Sequence, residues 1–91
     1  MYTIFIKKRA EKFISKAEKN LKILLKSYLE NFSENPFIGE ELKKDKKGIY
    51  SFHFKYNRTD YRIAYLIERN EIHILLIGTR ENFYKELTQF L

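Results

Sequence analysis

"IYSFHFKYNRTDYRIAYLIERNEIHILLIG", residues 49–78, decides how this 91-residue chain folds. Tyr50, Phe52, Phe54 and Tyr56 occupy alternate positions, with Ser51, His53 and Lys55 between them. Tyr61, Ile63, Tyr65 and Ile67 then alternate with Arg62, Ala64 and Leu66. A period of two sends each set to its own face of a β-sheet. The interruptions at "NRTD" and at Arg69–Asn70 are short and polar, so three consecutive strands in an antiparallel meander are predicted. Register follows from matching the apolar sets, because a slip of one residue carries a whole set to the wrong side. With "NRTD" as a four-residue turn, Tyr56 pairs with Tyr61, Phe54 with Ile63 and Phe52 with Tyr65. That register sets Lys55 opposite Arg62 and His53 opposite Ala64. Across the second turn Ile67 meets Ile72, Tyr65 meets Ile74 and Ile63 meets Leu76. One face is then wholly apolar, and the other carries Ser51, His53, Lys55, Arg62, Ala64, Leu66, Leu75 and Ile77.

Upstream the period changes. Residues 2–6, "YTIFI", are β-branched and aromatic and read as a strand. Ala10, Phe13, Ile14, Ala17, Leu21, Leu24, Leu25, Tyr28 and Phe32 recur at spacings of three and four, which makes one helical stripe, with lysines opposite. A single helix of about 24 residues spans roughly 36 Å and overshoots a small sheet. A helical hairpin bent near Ser15–Ala17 is therefore expected, ended by Pro36 and Gly39. "GEELKKDKKG" reads as a charged loop anchored by Leu42, and residues 81–91 as a short C-terminal helix. The fold class is α+β in a single domain over 1–91: N-terminal strand, helical hairpin, three-stranded meander, final helix.

Composition narrows the partners. Eighteen Lys and Arg against twelve Asp and Glu leave a net charge of +6, which favours a polyanion or an acidic protein segment. Cysteine is absent, which excludes disulfides and thiolate metal sites and fits a reducing cytoplasm. His53 and His73 have no metal-ligand spacing, so no metal or cofactor is expected. No apolar run is long enough to span a membrane, and the positive charges of "MYTIFIKKRAEK" follow its apolar patch, unlike a secretory signal.

The mixed face holds the candidate site. Two cations on neighbouring strands repel unless an anion lies between them, so Lys55 and Arg62 hint at an anion site. Gly78, inside a strand pattern, suggests a bulge or bend that turns the next loop, with Arg80, toward Arg62. Tyr84 follows on the first turn of the final helix. Two guanidinium forks with a histidine and a phenol nearby suit a phosphate, and a tyrosine also stacks on bases.

The order β-α-α-β-β-β, with "YRIAY" after "GIYSFHF" and a last strand running into Gly, "TR" and "Y", resembles the RelE/ParE superfamily of toxins from toxin–antitoxin modules. Within it, "IGTRENFYKEL" is more similar to RelE-type messenger-RNA interferases. The resemblance implies a RelE-like fold and a metal-independent endoribonuclease that cuts messenger RNA on the ribosome, kept inactive by a cognate acidic antitoxin. Carried over, Arg62 and Arg80 stabilise the phosphorane, and Tyr84 stacks on a base or orients the 2′-hydroxyl. Familiar RelE proteins carry lysines where this chain has Ser51 and His53. Ser51 offers only a hydrogen bond to RNA, His53 a candidate general base, and Lys55 some of the missing charge. Two alternatives stay open: a ParE-like inhibitor of DNA gyrase and a non-catalytic, degenerate toxin.

Overall fold

The computed structural model describes residues 1–42, 48–80 and 83. Strand β1 (Thr3–Ile6) leads into α1 (Lys8–Lys16) and α2 (Lys19–Glu34), then a 3-10 turn (Pro36–Ile38) and four further strands. These are β2 (Glu40–Glu41), β3 (Ile49–Tyr56), β4 (Thr59–Glu68) and β5 (Glu71–Thr79). The sheet has the order β1-β5-β4-β3-β2, parallel only between β1 and β5. The α+β architecture, the hairpin broken at Ala17–Glu18 and the meander all match the sequence expectation.

Neither helix has a side-chain N-cap, so packing must hold them. Their apolar stripe supplies Ala10, Leu21, Leu25, Leu29 and Phe32 to the main core, where they meet Phe54, Ile63, Tyr65, Ile72, Ile74 and Ile77 of the sheet. Phe32 stacks on Tyr65 with ring centroids 4.4 Å apart. The Tyr65 hydroxyl donates to Pro36 O at 2.8 Å and accepts from Gly39 N–H at 3.0 Å. A buried phenol thus ties the end of the helical layer to the middle strand. Burial pushes its pKa up to about 12, against a smaller lowering by the Gly39 N–H. Gly39 is required by that approach: a Cβ there would sit 2.6 Å from the hydroxyl.

Four expectations need correction. The β3–β4 turn takes two residues, Asn57 and Arg58, with φ of 49° and 64°. Positive φ at both central positions is the type I′ geometry, which matches the twist of paired strands better than a longer loop. Thr59 and Asp60 therefore join β4, and the register slides by two: Lys55 faces Asp60, and His53 faces Arg62 instead of Ala64. A shift of two preserves the faces, which is why the apolar pattern could not detect it. Second, the bulge is not at Gly78: the β4–β5 register breaks between Ala64 and Tyr65, where Tyr65 pairs with Ile74 and Ala64 with Leu76. Leu75 is the extra residue. Ile63 consequently pairs with Ile77, which enters the main core, while Leu75 and Leu76 both pack on the other side.

Third, Glu40–Glu41 of the expected loop form an edge strand on Ser51 and Tyr50. Leu42 does anchor the segment, through its N–H to Ile49 O at 2.8 Å and its packing on the second cluster. Fourth, the mixed face is not open throughout. Phe83, 0% exposed, packs with Ile49, Ala64, Leu75 and Leu76 into a second small core. The remainder of the expected C-terminal helix lies outside the described residues.

Candidate active site

On the face opposite the helices, each functional side chain owes its place to a cross-strand pair. His53 of β3 lies opposite Arg62 of β4, and Arg62 lies opposite Gly78 of β5. Strands pair about 4.8 Å apart, so the three make one row, to which the glycine adds no side chain of its own. The next row outward pairs Lys55 with Asp60, Nζ to Oδ1 at 4.0 Å. Both partners are at least half exposed, so this ion pair adds little stability. It does answer the repulsion expected between Lys55 and Arg62, because the carboxylate of Asp60 is Lys55's true neighbour.

Arg62 is partly buried and its Nε lies beneath the surface, whereas His53 and Lys55 are exposed. Arg80, exposed, comes two residues after Gly78. It follows directly on Thr79, the last residue of β5, which pairs with Tyr61 next to Arg62. Ser51 sits one row inward, opposite Ala64 and beside Glu40, and is only 4% exposed. Its Oγ has no hydrogen-bond partner among the described residues. Tyr84 lies outside the described residues. His73, at the far turn opposite Leu66, stacks on Phe5 at 5.2 Å and approaches Glu71 Oε1 at 3.1 Å, remote from Arg62 in register.

The structure thus brings together His53, Arg62 and the Lys55–Asp60 pair, with Arg80 at the adjoining strand end. Sequence reasoning missed Asp60, whose signal was its alternation with Arg62 once the turn is shortened. It also missed the role of Phe83, an apolar residue set just past the strand. Among the described residues no three His, Asp or Glu side chains gather as a metal-binding group, and no helix is long and apolar enough to cross a membrane.

A family model described as "ParE-like toxin of type II bacterial toxin-antitoxin system" matches residues 4–88, nearly the whole chain. The chain belongs to this family of toxins. The ParE-like assignment agrees with the architecture of solved relatives in the RelE/ParE superfamily. An arginine-to-alanine variant of the E. coli RelE toxin in the free state shares 19% identity, with 99% of this chain and 98% of that one covered and a TM-score of 0.75. The isolated E. coli RelE toxin shares 20% identity over the full length of both chains, with a TM-score of 0.70. RelE within the intact E. coli RelBE toxin–antitoxin complex shares 22%, covering 86% and 95%, with a TM-score of 0.68. At such identity the likeness establishes the fold. No curated protein sequence matches significantly.

Proposed function

We propose that this ParE-like toxin is a ribosome-dependent endoribonuclease that cleaves messenger RNA by attack of a ribose 2′-hydroxyl on its own phosphodiester. The observation that carries the reading is the row His53–Arg62–Gly78 with Arg80 just beyond it. In this reaction the 2′-oxygen bonds to phosphorus, the P–O5′ bond breaks, and the products are a 2′,3′-cyclic phosphate and a free 5′-hydroxyl. The 2′ proton needs an acceptor, the phosphorane needs positive charge, and the departing oxygen needs a proton. His53 takes the first task. Arg62 and Arg80 flank the phosphate and stabilise its growing negative charge. The proton reaches the 5′-oxygen from solvent or from the imidazolium. Tyr84 stacks on a base or orients the 2′-hydroxyl.

Lys55 completes the RNA contacts in this reading. Lys55 supplies long-range attraction. Ser51, 4% exposed, lies one row inward of that surface, and its unpaired hydroxyl costs about 1–3 kcal/mol. The protein partners are the ribosome and a cognate acidic antitoxin in the cytoplasm; the RelBE complex, a toxin held by its antitoxin, supports the second. Primer extension on messenger from a translating extract tests the reading: new 5′ ends appear with wild type and disappear with Arg80→Ala. Intact transcripts at saturating toxin would overturn it.

The family match favours a second reading, a ParE-like arrest of DNA gyrase. It needs no base, so a supercoiling assay that shows arrest with unbroken messenger, undiminished by His53→Ala, would select it.

A further inference from the structure

The two edges of the sheet are not alike. β2 is two residues long and both are glutamates, a form that discourages pairing with another strand. β1, at the other end, runs through Thr3, Ile4, Phe5 and Ile6 with no charge, proline or bulge. Its ladder with β5 turns the backbone groups of Thr3, Phe5 and Lys7 inward, as in the bonds from Thr3 N–H to Asn70 O and from Lys7 N–H to Ile74 O, both 2.9 Å. The N–H and C=O of Ile4 and Ile6 therefore point out of the sheet. α2 closes this edge at Tyr2, whose N–H donates to Ser33 O at 2.9 Å and whose carbonyl accepts from Ser33 Oγ at 2.6 Å. Beside Ile4 the two elements part, leaving a groove of about 320 Å³ lined by Ile4, Lys26, Leu29, Glu30 and Ser33. Phe5 and Ile6 are 43% and 38% exposed.

We propose that β1 pairs antiparallel with β1 of a second copy of this chain, so that two sheets become one across a two-fold axis at Phe5. Only one symmetric register uses every outward group. Antiparallel strands exchange both bonds between facing residues, so Ile4 N–H and C=O meet the second copy's Ile6, and Ile6 meets its Ile4. An axis at Ile4 would face Ile6 against Tyr2, whose groups Ser33 already holds, and an axis at Ile6 would face Ile4 against Lys8 in α1. The same register matches side chains. Ile4 and Ile6 lie on the helix side, so the second copy's Ile6 comes beside Ile4 and enters the groove. Phe5, on the opposite side against His73, meets its own counterpart in an aromatic cross-strand pair. Charge also selects a second copy. α2 runs opposite to β1, since Ser33 adjoins Tyr2 and Lys26 adjoins Ile4, so the two-fold brings Lys26 of one copy toward Glu30 of the other. An acidic segment laid in the groove would meet Glu30 as well as Lys26. The row at His53 and Arg62 stays open in the dimer, because β5 separates β4 from β1.

Sedimentation velocity on the full chain tests it. A concentration series shows monomer giving way to dimer, at a lower concentration in about 500 mM salt than in about 50 mM, because salt screens the repulsion between two bodies of net charge +6. Ile6→Lys, which sets an ammonium group in the buried seam, raises the dimer Kd about tenfold or more. Ile38→Lys, at a comparably exposed position just before β2, changes it less than about twofold. Glu30→Lys weakens the dimer, and adding Lys26→Glu to it restores association. Circular dichroism checks that each variant folds. A wild type that stays monomeric at every concentration, which would leave the edge to a strand of another protein, overturns the assignment. Equal weakening by Ile6→Lys and Ile38→Lys does so too, as does a charge swap that restores nothing.

Discussion

The two faces of this sheet use their residues in opposite ways. On the helix side Phe32, Tyr65, Ile63, Ile72 and Ile74 are fully buried, and even the Tyr65 hydroxyl has both a donor and an acceptor partner. On the other side burial stops part-way. Phe83 covers Ala64, Leu75 and Leu76, but in the next two rows His53, Lys55 and Asp60 are in water. Stability is thus concentrated on one side, and groups able to act on a phosphate gather at the uncovered end of the other. The middle strand serves both, since Arg62 lies between Tyr61 and Ile63, which belong to the main core.

The contrast can be broken or sharpened experimentally. Phe32→Ala should cost the most, about 3–5 kcal/mol of stability, because it empties the position stacked on Tyr65. Urea unfolding measures it, and a loss under 1 kcal/mol would mean that the helical layer is not what holds the sheet. Arg62→Ala should do the converse, lowering messenger cleavage about 10²–10³-fold with a native circular dichroism spectrum. If unfolding explains the lost activity, the division between the faces fails.

Titration separates them more finely. Tyr65 has a folded pKa of about 12 against an ordinary value of 10.0, so it favours folding fully below pH 10 and loses that contribution as pH rises toward 12. Compared with Tyr65→Phe, wild type should lose on the order of 2 kcal/mol more across that interval. Parallel stability curves would show that the phenol is not sealed in the native core. The smallest change is at the turn. Arg58→Gly removes a side chain from a left-handed position and should add up to about 1 kcal/mol, visible as a raised Tm, since Asn-Gly is the preferred type I′ pair.

Much of this was legible in the sequence, for a definable reason. Alternation identified β3, β4 and the start of β5, and the three-and-four spacing identified both helices, because burial on one side imposes those periods. Pairing was harder. The apolar pattern repeats every two residues, so it cannot distinguish Tyr56 opposite Tyr61 from Tyr56 opposite Thr59; the backbone angles of Asn57 and Arg58 made that choice. "ILLIG" gave an uninterrupted apolar run, in which a bulge leaves no period to follow. The candidate residues His53, Lys55 and Arg62 were found on their correct face, but their partners were wrong until the turn was shortened. Asp60 was missed for the same reason.

The unmatched leucine in β5 has a consequence for tracing descent. Any relative that lacks it will fall out of step with this chain midway along a strand, where alignments seldom admit a gap. An ungapped comparison would then displace everything downstream by one place, including the arginine after the strand. Homology at Arg80 has to be judged from superposed backbones, counted outward from Gly78.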